Sequence, residues 1–342
     1  MKERVTYIFR KKSPRYNSIE QVFYGVMECL DPKLYPSASF HVKESGGGIK
    51  AIISNICAVR KTDRGIRHIT GDIHYVALGT ASPSVLTIHD TGSALQGNFI
   101  KQFLIKLLWF WLPALCVDRI TVISEFSRQE VLRLIPFAKR KIRVIPNAYR
   151  HQIDYDPKPF NSACPRILHL GTKSNKNLER TIEALKGINC ELMIIGKLTA
   201  EQQKQLDQSG ILYQNEFYIP FERIIEHYRA CDLVCFASTY EGFGLPILEA
   251  QATGRPVITS RVTSMPEVAG EGALLVDPLD VEDIRNAVNR IISDETLRAG
   301  LVAKGLENIK RFTPESVAMQ YVELYEEIGG MKKIKRIKGI KK

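Results

Sequence analysis

Two glutamates with seven residues between them, Glu241 and Glu249, bracket the stretch best able to do chemistry. Gly242, Phe243, Gly244, Leu245 and Pro246 stand between them. The glycines let the backbone approach a ligand closely. Pro246 suits the first turn of a helix, where a missing N–H costs nothing. A helix start offers unpaired N–H groups and the positive end of a dipole, so the backbone of residues 242–245 is suited to hold a phosphate. A carboxylate beside a phosphate is repelled unless it binds something else. Sugar hydroxyls fit, because an ionised carboxylate accepts hydrogen bonds from two of them. The simpler alternative is a solvated loop glutamate plus a helix-start glutamate favoured by the macrodipole. The glycines, the proline and both glutamates coincide in one stretch, which favours the ligand site.

The flanking sequence supplies the elements that position these groups. The apolar run 233–237 predicts a buried parallel strand before the loop. Gly254 ends the helix and Pro256 leads into the next strand. A second loop, from Gly171 to Asn177, follows the predicted strand 166–171 and feeds another helix start. Its Lys176 is placed to reach a diphosphate as a point charge. Residues 84–90 form a strand ending in His89 and Asp90. Polar residues at the carboxyl ends of parallel strands line the ligand crevice of such sheets.

The match from Glu241 to Glu249 is complete to the signature of the retaining glycosyltransferases called group 1 or family 4, and the chain resembles that family. Ser264–Gly270 and Ala273–Pro278 continue the likeness, which is strong over residues 166–312 and weaker before. The resemblance implies an α/β protein of GT-B fold, two doubly wound Rossmann-like domains facing a central crevice. It implies transfer of a sugar, with retention, from a nucleotide-diphosphate sugar to an acceptor hydroxyl. The acceptor class is a glycan or a lipid-linked intermediate of bacterial surface polysaccharide assembly. By the same resemblance Glu241 holds the sugar and Glu249 the ribose hydroxyls. Lys176 and the backbone of Gly242, Phe243, Gly244 and Leu245 hold the diphosphate. His89 lies beside the transferred sugar, with Asp90 orienting it or meeting the acceptor. Attack comes from the front face, with the leaving phosphate taking the proton.

Two departures from the family pattern stand out. Thr172 occupies the position of the family's arginine, so Lys173 either replaces that charge or is a surface cation. The loop 11–17, glycine-rich in many relatives, has no glycine here; Arg15 or the backbone near Asn17 is the substitute. Two other readings remain open. One is a nucleotide-sugar epimerase of similar fold, and the Glu241–Pro246 signature speaks against it. The other is a non-catalytic partner subunit that only binds nucleotide sugar, which these departures favour. Phe217 and Tyr218 either flank the base or belong to the core, and His74 is read as structural.

Length and composition set the frame. The chain has 342 residues and 44% hydrophobic content, enough for two soluble domains. The expected division is residues 1–150 for the acceptor domain, 151–165 for a linker and 166–312 for the nucleotide-sugar domain. A last helix over 315–330 is expected to pack back on the first domain. Seven cysteines show no paired framework and are read as reduced, mostly buried thiols of a cytoplasmic protein. No secretory leader is legible, and the longest apolar run, 107–117, is broken by Pro113. No Asp-x-Asp pair or His/Cys/Asp cluster suggests a metal, so no metal and no cofactor beyond the nucleotide-sugar co-substrate is expected.

Of the net charge of +11, seven basic residues and no acidic ones fall in 331–342. That bias suggests peripheral contact with an anionic membrane face and no nucleic-acid binding. A frayed solubilising tail is the alternative. A helix over 99–111, with Lys101, Lys106, Trp109 and Trp111, is either a second membrane contact or a core helix.

Overall fold

Short runs of β-branched and aromatic residues separated by helix-forming stretches produce alternating strands and helices. In the computed structural model, residues 4–12, 18–63, 65–81, 83–92 and 98–329 are described. Arg15, Asn17, the side chain of Ser18 and the basic tail 331–342 lie outside these residues. The described residues divide into two compact units, one drawn from 1–123, 127–145 and 314 onward, the other from 124–126 and 146–313.

The first unit carries β1 (Val5–Phe9), β2 (Ser37–His41), β3 (Ile66–Ile69), β4 (Ser84–Ile88), β5 (Arg119–Val122) and β6 (Ile142–Val144). They pair in parallel in the order β2-β1-β3-β4-β5-β6. Helices α1 (Ser18–Cys29), α2 (Ile49–Arg60), α3 (Phe99–Ile105), α4 (Leu112–Cys116) and α5 (Glu125–Leu134) alternate with them. The second unit carries β7 (Arg166–Leu170), β8 (Glu191–Ile195), β9 (Leu212–Glu216), β10 (Leu233–Phe236), β11 (Val257–Ser260) and β12 (Leu274–Val276). Their order is β12-β11-β10-β7-β8-β9. Counted from its own first strand this is the doubly wound order of a dinucleotide-binding sheet. Its helices are α6 (Leu178–Leu185), α7 (Ala200–Ser209), α8 (Phe221–Ala230), α9 (Leu245–Thr253), α10 (Met265–Ala269), α11 (Val281–Ser293) and α12 (Glu295–Asn308). The last helix, α13 (Pro314–Gly329), belongs to the first unit and packs on α1.

A buried polar chain fixes α13 to the first sheet. His68 Nδ1 lies 2.6 Å from Tyr325 Oη and its Nε2 lies 2.7 Å from Thr87 Oγ1. Thr87 and Thr121 hydroxyls are 2.6 Å apart, and Tyr325 donates to Tyr7 Oη at 3.1 Å. A neutral His68 with its proton on Nδ1 satisfies every member in turn. Burial enforces that neutrality by lowering the imidazole pKa to about 3. Tyr321 and Phe23 close the ring cluster around it.

Several sequence expectations shift. The run 72–77, whose β-branched and aromatic residues predict a strand, instead leads into a buried 3-10 helix, His74–Gly79, and the strand lies earlier, at Ile66–Ile69. Periodicity does not separate a short buried strand from a buried helical turn. The sequence predicts a short second strand over 40–42; it starts earlier, at Ser37, and ends at His41. Helix continues through the apolar run despite Pro113. A π-helical segment, Lys106–Trp111, precedes the proline, which sits in the first turn of α4 where its missing N–H is tolerated. The cysteines are not mostly buried: Cys190, Cys231 and Cys235 are, Cys29 and Cys164 are half-buried, and Cys57 and Cys116 are exposed.

Residues 151–165, read as a linker, are stitched to the second unit. Asp156 N–H donates to Thr253 O, Lys158 pairs with Asp232 at 2.8 Å, and Asn161 N–H donates to Asp232.

Candidate functional site

The strand β10 is buried along its whole length and delivers the chain into the loop 237–244. Gly244 ends that loop with φ 110°, a conformation that only glycine adopts without strain, and α9 starts at the next residue. A Cβ there would sit 3.0 Å from Ile247 Cδ1. Gly254, with φ 80°, closes the helix by donating to the carbonyls of Ala250 and Gln251.

Hydroxyls hold the loop from behind. Ser264 Oγ lies 2.9 and 2.8 Å from the carbonyls of Glu241 and Phe243, with its one proton shared between them. Ser124 Oγ donates to Gly242 O at 2.8 Å, and Glu241 N–H donates to Thr263 Oγ1 at 3.3 Å. Three consecutive loop carbonyls are therefore occupied by serine side chains. Phe243 is buried edge-on against Phe312.

Lys176 and Glu241 meet. Lys176 Nζ lies 2.6 Å from Glu241 Oε1, with Asn175 Nδ2 3.5 Å from the same oxygen. Both side chains are largely shielded, and the ammonium also lies 4.7 Å from the centre of the Phe236 ring. The lysine is steered by its loop. Gly171, at φ 94°, leaves room for the lysine stem: a Cβ there would come within 2.7 Å of Lys176 Cγ. Asn177, in the left-handed conformation, donates to the carbonyls of Ala237 and Pro278 at 2.9 and 2.6 Å, tying the two loops together.

Thr172 donates to Lys197 O at 2.6 Å and its carbonyl accepts from Gln202, so it serves the loop's structure. The Lys173 side chain is exposed.

Glu249 is almost fully buried on α9. Tyr228 Oη donates to its Oε2 at 2.8 Å, and Arg150 Nε stands 3.9 Å from its Oε1. Burial raises the Glu249 pKa, against the lowering effects of Arg150 and Tyr228. The Arg150 guanidinium lies 3.7 Å over the Phe221 ring. Phe217 and Tyr218 are exposed, packed edge to face, with Tyr218 at φ 57°. They are not core residues.

In the first unit, His89 Nε2 lies 2.9 Å from Thr70 O and its ring meets Phe23 edge-on. Burial lowers its pKa. Asp90 is exposed and accepts from Gly92 N–H at 3.1 Å, which makes it a turn-former. His74 is buried, with Nδ1 2.8 Å from Trp109 O. Among the described residues no group of three His, Cys, Asp or Glu is arranged to hold a metal ion.

The structure thus brings Glu241, Lys176 and the residues 242–245 into one cluster at the start of α9. Glu249 lies on the same helix with partners of its own. Sequence reasoning missed Arg150, Tyr228, Asn177 and Ser264. Asn177 carried a signal, being an asparagine between a loop and a helix start, where the left-handed conformation is tolerated. Arg150 and Tyr228 reach Glu249 only through tertiary packing, which leaves no local signature.

A family model described as glycosyl transferases group 1 matches residues 157–307, and one described as glycosyltransferase family 4 matches residues 68–152. Over 232 residues the chain is 31% identical to the O-antigen chain mannosyltransferase B of Escherichia coli, covering 60% of each. It spans only about 30% of the serotype-specific mannosyltransferase WbdA of that organism. Among solved structures, sucrose-phosphate synthase from Thermosynechococcus elongatus superposes with a TM-score of 0.77 at 19% identity, over 97% of this chain and 100% of that one. HepE from Anabaena, solved with UDP-glucose, gives 0.71 at 16% identity, over 94% and 99%. The likeness to these structures is one of fold, the GT-B class with two Rossmann-like domains.

Proposed function

The chain belongs to the group 1 glycosyltransferases, and from that premise we propose that it transfers a sugar from a nucleotide-diphosphate sugar to an acceptor hydroxyl, with retention. The observation that carries the reading is the Lys176–Glu241 pair at the start of α9. A cation for a diphosphate and a carboxylate for sugar hydroxyls stand together at a helix N-terminus, where developing negative charge is favoured. On donor binding Lys176 exchanges the carboxylate for the diphosphate, and Glu241 turns to the sugar. Glu249, held by Tyr228 and Arg150, faces the ribose. The leaving diphosphate is stabilised by Lys176 and the α9 N-terminus without a metal ion. His89 lies beside the transferred sugar, and Asp90 orients it or meets the acceptor.

The acceptor is a glycan or lipid-linked intermediate of surface polysaccharide assembly, in keeping with the mannosyltransferase relatives. The protein works in the cytoplasm with reduced thiols, and its basic tail 331–342 draws it to the anionic inner face of the membrane. Co-sedimentation with anionic vesicles should fall when that tail is removed.

Incubation with candidate donors and lipid-linked acceptors tests the central claim. Acceptor-dependent nucleotide release that persists in excess EDTA is expected. Release of nucleotide and an altered free sugar without acceptor would instead identify an epimerase. Donor binding without turnover on any acceptor would identify a binding subunit.

A further inference from the structure

The helical stretch Phe99–Cys116 is apolar over 18 residues, with mean hydropathy 1.4, yet only 17% of it is buried. Its first turns present Phe99 (83% exposed), Ile100 (68%), Phe103 (46%) and Leu104 (48%). Spacings of one, three and four place these side chains on one helix face. Lys101 and Lys106 stand on the same stretch, and it contains no acidic residue. Beside it lies α2, which exposes Ile49 and Ile53, carries Lys50 and Arg60, and also has no acidic residue. A Cβ on Gly47, just ahead of α2, would meet Trp109 Cη2 at 3.5 Å, so the start of α2 lies against this helix.

We propose that this face of the first unit docks on an anionic lipid surface, with the exposed apolar side chains entering the interface and the flanking lysines meeting the headgroups. The charge pattern selects the occupant. Cations rimming an apolar face, with no acid on either helix, suit an anionic headgroup layer. A second copy of the chain docking on the same face would set Lys101 and Lys106 against their own counterparts with no carboxylate to offset them.

The helix lies on the bilayer and does not cross it, because its other side is built into the core. Phe110, Pro113 and Ala114 are buried. The indole N–H groups of Trp109 and Trp111 donate to the carbonyls of Asp72 and Leu134, at 2.6 and 2.9 Å. Phe103 meets Trp111 edge-on, 6.0 Å between ring centres, so the exposed turns are braced by the anchored ones. This surface is drawn from residues 49–116, none of them in the basic tail, and does not depend on the transferase reading.

The chain's two tryptophans, Trp109 and Trp111, both lie in this helix, so their emission reports on this face whatever the tail does. The full-length protein is mixed, without donor or acceptor, with vesicles of phosphatidylglycerol and phosphatidylcholine, or of phosphatidylcholine alone. A blue shift on the anionic vesicles is expected. The Phe99→Ser, Ile100→Ser, Phe103→Ser, Leu104→Ser variant should partition at least about tenfold more weakly and lose the shift. Lys101→Glu with Lys106→Glu should weaken binding to the anionic vesicles specifically. If the fourfold variant fails to fold, Phe99→Ser alone, at the most exposed position, should still reduce both signals. A folded variant that partitions and shifts like the wild type overturns the proposal. So does light scattering that shows a wild-type dimer dispersed by the fourfold variant with vesicle binding unchanged.

Discussion

The two units place their polar side chains in opposite ways. In the first, His68, Thr87, Thr121, Tyr325 and Tyr7 bond to one another inside the core and fasten a covering helix. In the second, Ser124, Ser264 and Asn177 bond to loop carbonyls at the ends of strands and shape the backbone that surrounds Lys176 and Glu241. Both arrangements satisfy buried polar groups, as any folded chain must. Charged side chains pair next to a helix start in both, Arg10 with Glu20 in the first turn of α1 and Lys176 with Glu241 before α9. Of these two pairs, only Lys176–Glu241 is framed by side chains that grip loop carbonyls, those of Ser124, Ser264 and Asn177. A polar network enclosed in a core specifies structure, whereas one that grips loop carbonyls prepares a site.

The largest effect should appear where that division predicts chemistry. Glu241→Gln should lower turnover about 100- to 1000-fold, the loss typical of removing a transition-state hydrogen-bonding group, while free nucleoside diphosphate still binds by calorimetry. A similar loss from His89→Gln alone, with Glu241→Gln nearly normal, would break the comparison.

Acid should strike the first unit harder. Burial lowers the pKa of His68 to about 3 and of His74 to about 4, from an unperturbed 6.5. A depressed histidine contributes stability that is complete above the unfolded pKa and is lost as pH falls towards the folded one. Together the two should remove about 3 kcal/mol between pH 6.5 and 5. The second unit has one such residue, His169, at about 4. Hydrogen exchange across that pH range should show protection falling first around β1, β3 and α13. Earlier loss around β7 would contradict the assignment.

Tyr325→Phe removes the hydroxyl between His68 and Tyr7. Leaving their buried polar atoms unpaired should cost about 1–3 kcal/mol in urea unfolding, with donor affinity unchanged. The smallest effects sharpen the site itself. Lys176→Ala should weaken diphosphate binding about tenfold relative to monophosphate, as for a lost charged hydrogen bond. Lys173→Ala should change that ratio less than about twofold, because an exposed cation is screened. Equal changes would show that Lys173 replaces the absent arginine after all.

Much of the second unit was legible because its signals are local. Glycine at a positive-φ position, proline in a first helical turn and a short apolar run before them each have one structural meaning. The parallel α/β class followed from the alternation of such pieces in both halves. The helical turn at His74–Gly79 was not legible, since a run of six residues, five of them buried, satisfies either geometry. The ion pair between Lys176 and Glu241 was also hidden. The sequence assigned each residue a separate ligand, and only the fold shows that they neutralise each other. The partners of Glu249 lie 21 residues before it in sequence, for Tyr228, and in the stretch preceding β7, for Arg150. No periodicity connects such positions.

The return of α13 to the first unit has a consequence for synthesis on the ribosome. Apart from residues 124–126, the second unit is one insertion, 146–313, within the first, and every strand it needs lies inside that span. The first unit, by contrast, keeps His68 waiting for Tyr325, 257 positions later. Chains emerge amino terminus first and domains generally fold as units. The middle of this chain can therefore complete its core while the beginning is still open. The segment made first is finished last, with its buried histidine and strand hydroxyls uncovered until the closing helix leaves the exit tunnel.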